Sequence, residues 1–356
     1  MITPRLKILY VAYPLLPVSE ESCGGAEQVL VTVEQEMKRR GHQTTVAACH
    51  GSRVAGKVLP TGDPATAPDQ FAKRSAEHNR RVLAYLQDHP GEFDLVHDQS
   101  GTFWQSLDPN EGSPVPVLVT LHLPRSFYPE DAFRRTPDNV TFNCVSEAQA
   151  STFSDVGTVY VSNGINLGKY RCVARKGDYL LWLGRICEEK GAHLAIEVAQ
   201  RAGRPLVLAG QVYPFSYHQQ YFREKIWPHV EGERVTWAES PNVQEKVELF
   251  QGAQAVLIPS LVDETSSLVA MEAMACGTPV IAFRRGALPE VIADCRTGFI
   301  VDSVEEMVHA VEQVRHIDAQ TCREYVEGSY SAVRMADDYE RLYRRVASRF
   351  NRALAS

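Results

Sequence analysis

The chain has 356 residues, enough for two domains of ordinary size with a core each. Hydrophobic residues make up 44% and charged residues 23%, the balance of a globular protein, and a net charge of −7 argues against a nucleic-acid partner and against strong binding to anionic lipid. The eight cysteines form no CxxC pair and no close Cys/His cluster, so free thiols in a reducing compartment are expected and a zinc site is not. The start, "MITPRLKILYVAYPLLP", reads as a first strand and not as a leader. No run reaches the roughly 18 apolar residues of a spanning helix. A cytoplasmic location is expected.

In chain order, "LKILYVAY" (6–13) is a strand. "AEQVLVTVEQEMKRRGH" follows with Val29, Leu30, Val33 and Met37 on one face, a basic last turn and Gly41 as a stop. "TTVAAC" (44–49) is the next strand, then a Gly- and Pro-rich loop (51–68) and a helix near 70–88. "FDLVHDQ", "VPVLVTLH", "VTFNCVS" and "GTVYVSNGI" supply further short strands. A second series begins near 178: "DYLLWLGR", the helix "GAHLAIEVAQRAG", "PLVLAG", "VTWAES", the helix "EKVELFQGA", "AVLIPS", a helix over 267–276 and "TPVIAF". Repeated β-α-β order means parallel sheets with helices on both faces, and the restart means two α/β domains joined through 166–177. The final segment is a long amphipathic helix with Met335, Tyr339, Leu342 and Tyr343 as one stripe. The segment 211–228, rich in aromatics and glutamine, reads either as a binding element or as a packed helix.

Ligands of open α/β sheets sit beyond the carboxyl ends of the strands, and four places there carry chemistry. Gly24 and Gly25, before the first helix, fit a close backbone approach to a ligand or a plain flexible loop. No GxGxxG is present, which counts against a nicotinamide oxidoreductase. His122 just past "LVTL" suits hydrogen bonding or proton transfer, or is a satisfied core histidine, and His97 holds a similar position. Gly184 and Arg185 end a strand, and Lys190 with Gly191 opens a helix. The two cations could converge on one anion or stand solvated beside Glu188 and Glu189. Last, Thr265, Ser266 and Ser267 precede an apolar helix whose first N–H groups can cradle phosphate oxygens. Glu264 stands outside that helix. Glu272, inside it among Val269, Met271, Ala273, Met274 and Ala275, is costly there unless it has partners.

The pattern Gly184-Arg185…Lys190-Gly191, then Pro259-Ser260…Glu264…Glu272-Ala273-Met274-Ala275-x-Gly277-x-Pro279, resembles that of the family-4 retaining glycosyltransferases of the GT-B fold. "VSNGIN", "GGAE", "VTLH" and "YSAVRMADDYERLY" fit the same family. The resemblance implies two Rossmann-like parallel-sheet domains facing a central cleft. It divides the chain into 1–167 as the acceptor-binding domain, 168–333 as the nucleotide-sugar-binding domain and 334–356 as a helix returning to the first.

It also implies transfer of a sugar from a UDP- or GDP-sugar to a hydroxyl acceptor, a small metabolite or glycan, with no metal and no bound cofactor. On this basis Arg185, Lys190 and the amides of 265–268, Leu268 included, neutralise the diphosphate. Glu272 binds the ribose and Glu264 the sugar hydroxyls. Gly24, Gly25, Gly184 and Gly210 line the donor site, and His122 lies by the reacting sugar. A related epimerase or hydrolase, or a non-catalytic sugar-nucleotide binder, shares these features. The family usually has E-P-F-G-L-V where this chain has Glu264-Thr265-Ser266-Ser267-Leu268-Val269, which changes the loop's shape and polarity.

Overall fold

The computed structural model describes residues 4–22, 24–65, 67–230 and 234–355. Cys23, inside the glycine loop singled out above, lies outside them. The described chain forms two compact units, 1–164 with 332–356, and 165–331.

Unit 1 holds strands β1 (Lys7–Val11), β2 (Gln43–Ala48), β3 (Lys57–Pro60), β4 (Leu95–Asp98), β5 (Val117–Leu121), β6 (Val140–Cys144) and β7 (Val159–Tyr160), with helices α1 (Gly25–Arg39), α2 (Phe71–Asp88) and α3 (Glu147–Ser151). The sheet order is β3-β2-β1-β4-β5-β6-β7, and every pair is parallel. Parallel strands covered on both faces read as continuous apolar runs, which is why β1, β4 and β5 are legible in the sequence. β3 falls in the segment read as loop. It is an edge strand, half exposed, ending on a proline, so it carries no apolar run.

One face of this sheet packs Leu9, Val11, Val96, Val117 and Val119 against Val82 and Leu86 of α2. The other holds the C-terminal helix, Ala332–Ala355. Its stripe is the one the periodicity gives: Met335, Tyr339, Leu342 and Tyr343 are all buried. Two buried tyrosine hydroxyls need partners, and the sheet supplies them. His97 Nδ1 lies 2.7 Å from the Tyr343 hydroxyl and its Nε2 2.7 Å from Thr120 Oγ1. Asn143 Nδ2 donates to the Tyr339 hydroxyl at 3.2 Å. Outside this belt, Arg40 of the α1 terminus donates to Glu340 at 3.1 Å. His97 is therefore a satisfied core residue.

Unit 2 holds β8 (Leu180–Leu183), α4 (Ala192–Ala202), β9 (Leu206–Ala209), α5 (Ser216–Tyr221), α6 (Trp227–Val230), β10 (Val235–Ala238), α7 (Val243–Gly252), β11 (Ala255–Ile258), α8 (Leu268–Ala275), β12 (Val280–Phe283), α9 (Leu288–Val291), β13 (Gly298–Val301), α10 (Val304–Gln313) and α11 (Ala319–Ser329). Its parallel sheet runs β10-β9-β8-β11-β12-β13. Alternate residues go to opposite faces. Leu181, Val256 and Ala282 meet α7, α8 and α11, while Leu180, Leu257 and Ile281 meet α4 and α10. The aromatic segment after 211 is largely helical, through α5, a π-helical turn and α6. No helix among the described residues is long and apolar enough to cross a membrane.

Burial leaves a pH signature in unit 1. Desolvation lowers His78 and His122 to about 4 and pushes His97 well below its ordinary value. The unfolded chain then takes up protons near pH 6.5 that the fold refuses, so this stability is full above that pH and is lost as pH falls toward 4, on the order of 1–2 kcal/mol per histidine by pH 5. Burial raises Asp98 to about 6 and also raises Glu27, which works in the opposite direction, while His42, lowered by burial, adds to the histidine side. The melting temperature should fall between pH 7 and pH 5, and His78→Gln should shrink that fall. A flat or rising profile in differential scanning calorimetry would contradict this accounting.

Candidate active site

The sequence-predicted residues of the second half lie at the exits of the unit 2 strands, except Leu268 and Glu272, which belong to α8. Gly184 and Arg185 leave β8, and the Gly184 N–H donates to the Ala209 carbonyl at 3.0 Å. Gly210, leaving β9, faces that turn so closely that a Cβ on it would stand 1.8 Å from the Gly184 carbonyl oxygen. This accounts for Gly210 by backbone packing alone. A single 3-10 turn, Glu188–Lys190, then leads into α4.

The turn is fastened to the loop leaving β11. Leu261 N–H donates to the Glu189 carbonyl at 2.9 Å. Gly191 has φ 69°, the left-handed region that favours glycine, and a Cβ there would lie 2.0 Å from the Pro259 carbonyl oxygen. The backbone of Lys190 is held as well, its carbonyl accepting from Trp182 Nε1 at 3.0 Å.

Lys190 and Glu264 meet across this junction. The ammonium donates to both carboxylate oxygens, at 2.6 and 2.8 Å. Ser260 Oγ, fully buried, also donates to Glu264 Oε1. A third loop holds the carboxylate's own backbone: Ala287 N–H donates to the Glu264 carbonyl at 2.7 Å, and Gly286 N–H to Asp263 Oδ1 at 3.1 Å. Arg185 is exposed, makes no ion pair among the described residues, and lies 5.9 Å from the Tyr213 ring centroid. The two cations therefore differ in state: one is paired to a carboxylate, the other is available.

α8 starts at Leu268 with Ser267 as its cap, the Ser267 hydroxyl accepting from the Ala270 N–H at 3.2 Å. The serine that stands where the family usually has glycine thus supplies a side-chain cap. Thr265 and Ser266 form the approach, and Ser266 Oγ is buried without a hydrogen-bond partner.

Glu272 is 1% exposed, and the partners its burial demands are in the chain. Tyr170 donates to Oε1 at 2.6 Å and Lys246 at 2.8 Å. Oε2 has no partner. Lys246, on α7, and Tyr170 escape the sequence reading. A single lysine in a short polar helix carries no signal, and only the cost of an unpaired carboxylate at 272 points to a cation somewhere.

In unit 1, Gly24 caps α1 and Gly25 opens it, the latter exposed. His122 follows β5, and its Nε2 lies 2.6 Å from Gln99 Oε1, so that nitrogen carries the proton and donates. With burial lowering it to about 4, the ring is neutral near pH 7. Gln99 Nε2 sits 3.2 Å from His97 Nε2, which ties His122 to the network under the C-terminal helix. Asp98, also unread in the sequence, accepts from the N–H groups of Ser100, Gly101 and Trp104 and shapes the turn that follows β4. A buried aspartate followed by Ser and Gly is a turn signal of the Asx kind.

Both halves of the chain match known families: "Glycosyltransferase Family 4" over residues 23–169, and "Glycosyl transferases group 1" over residues 173–331. The chain belongs to the family-4 glycosyltransferases. A D-inositol 3-phosphate glycosyltransferase of Pseudarthrobacter chlorophenolicus is 27% identical over 256 residues, covering 60% of this chain and 59% of the relative. One of that name from Corynebacterium aurimucosum is 45% identical over 85 residues, 23% of this chain and 20% of the relative. The alignments thus span less than two thirds of these relatives' length.

Among solved structures, sucrose-phosphate synthase from Thermosynechococcus elongatus aligns with a TM-score of 0.80 at 18% identity, covering 97% of this chain and 100% of that one. Anabaena HepE in complex with UDP-glucose aligns at 0.73 and 17%, covering 95% and 99%. These likenesses establish the GT-B fold of this family-4 chain.

The steric account of Gly191 has a built-in control. Gly203 has nearly the same φ, 65°, but open space around its missing Cβ. Gly203→Ala should cost about 1 kcal/mol, the backbone term alone. Gly191→Ala should cost at least about 2 kcal/mol more, since backbone must move. Equal costs in chemical denaturation would refute the Pro259 contact.

Proposed function

We propose that this chain transfers a hexose from a nucleoside-diphosphate sugar, a UDP- or GDP-sugar, to a hydroxyl acceptor with retention at the anomeric carbon. The observation that carries the reading is the Lys190–Glu264 pair at the exits of β8 and β11. A diphosphate is the ligand class that can take a lysine from a carboxylate, because it offers more negative charge and several acceptor oxygens. Lys190 then moves to the phosphate, and Glu264, released, accepts from sugar hydroxyls. Arg185 brings a second cation, and the first-turn amides of α8 bring neutral donors. Together they stabilise charge where it develops as the leaving group departs. Glu272 Oε2, the oxygen that Tyr170 and Lys246 leave unused, is assigned to the ribose.

The bond from the anomeric carbon to the diphosphate breaks, and the acceptor oxygen bonds to the same face. The acceptor's proton passes to the departing phosphate oxygen, so no enzyme nucleophile is needed. His122, neutral near pH 7, is suited to hydrogen bonding and not to acting as an acid. A small polyol or glycan is the acceptor class assigned here, and inositol phosphate, after which the curated relatives are named, is the first compound to try.

The test is release of nucleoside diphosphate from UDP-, GDP- and ADP-sugars, with and without acceptors. Acceptor-dependent release supports transfer. Release without acceptor points to a hydrolase or epimerase, and no release from any donor overturns the reading. Lys190→Ala should lower kcat by about 10²–10³. Arg185→Lys should also slow turnover, because the planar fork is lost. Unchanged kcat in folded Lys190→Ala protein removes the leaving-group assignment.

A further inference from the structure

Folding assembles a group of side chains that the spacing of the sequence does not announce. Cys187, Glu189 and His218 bring a thiol, a carboxylate and an imidazole together, with ligand atoms all within 4.8 Å of one another. Two of them sit in the turn between β8 and α4, and the third is on α5.

The state of His218 is the decisive detail. The side chain is 0% exposed, and neither ring nitrogen has a hydrogen-bond partner. Its neighbours are aromatic rings, Tyr213, Phe215 and Tyr217, with centroids at 6.2, 5.3 and 4.2 Å. A packed core histidine satisfies at least one nitrogen, as His97 does, because two desolvated and unpaired nitrogens go uncompensated. Cys187 is equally buried; its thiol lies 3.4 Å from the Arg185 carbonyl and hydrogen-bonds with the Glu189 carboxylate beside it.

We propose that Cys187, Glu189 and His218 form a site for one Zn²⁺ ion, or a divalent cation of similar softness, which staples the Arg185–Lys190 turn to α5. The donor set suits the assignment. Thiolate and imidazole select zinc over magnesium or calcium, and three protein ligands leave a fourth position for water. Zinc bonds of about 2.0–2.3 Å put tetrahedral ligand atoms about 3.5 Å apart, so small side-chain rotations that contract the cluster from within 4.8 Å complete the set. On binding, the Cys187 proton goes to solvent and the sulfur takes the metal in its place. The ion has no part in the sugar-transfer steps described above, and the proposal stands or falls without them.

The experiment uses the full chain, stripped with a chelator and titrated with Zn²⁺ against a chromophoric competitor, and with Co²⁺ as a spectroscopic probe. One equivalent per chain should bind, with a thiolate-to-cobalt charge-transfer band and a raised melting temperature. Cys187→Ser and His218→Gln should each weaken zinc by at least about tenfold, and Cys187→Ser should abolish the band. If either fails to fold, Cys187→Ala with His218→Phe, which fills the same apolar space, takes its place. Absence of the band in the wild type, or a band that survives in Cys187→Ser, overturns the proposal.

Discussion

Lys190 and Glu264 are 74 residues apart, and the doubly hydrogen-bonded contact between them depends on how three strand-exit loops are joined. The turn after β8 has to lie flat on the loop after β11, which only a residue without a Cβ at 191 permits. The carboxylate has to be braced from behind, which the buried hydroxyl of Ser260 does. Its backbone has to be held by the loop after β12, through Ala287, while Gly286 holds the side chain of the neighbouring Asp263. The motif spacing in the sequence is the imprint of that junction. Gly191, Pro259 and Ser260 form the mount, and Lys190 and Glu264 are the charges mounted on it. A partly buried pair of this kind is worth keeping only where both members remain addressable, and both side chains retain some solvent contact, 26% and 14%.

A different economy governs Glu272. There the chain encloses a charge almost completely and supplies a cation and a phenol to one oxygen, leaving the second without a partner. Removing one member of such a group leaves an uncompensated charge, which is why a buried acid in an apolar helix directs attention to its partners. In unit 1 the same rule applies to neutral groups. The tyrosines of the C-terminal helix are accepted into the core because His97, Thr120 and Asn143 meet their hydroxyls. Through Gln99 the same network reaches His122, so the orientation of that ring is set from beneath the sheet.

The physics that made parts of this molecule legible in the sequence also explains what stayed hidden. Strands buried on both faces leave apolar runs, so β1, β5, β8, β11 and β12 could be placed from the sequence. β3 is half exposed at a sheet edge and leaves no pattern, whereas β7, though only two residues long, falls within the stretch "GTVYVSNGI" read as a strand. The apolar setting of Glu272 marks it as anomalous, and Gly191 and Glu264 are marked by motif. Lys246, Tyr170 and Gln99 come close to their partners only through folding, and a lone polar residue has no periodicity to betray it. The grouping of Cys187 with His218 was invisible for the same reason, since 31 positions separate them.

The central claim is that a diphosphate exchanges places with Glu264 on Lys190. A crystal structure of the protein with UDP or GDP bound measures this directly. The account predicts phosphate oxygens within hydrogen-bond distance of Lys190 Nζ and an opened Lys190–Glu264 contact. A nucleotide bound elsewhere, with that contact intact, would contradict it.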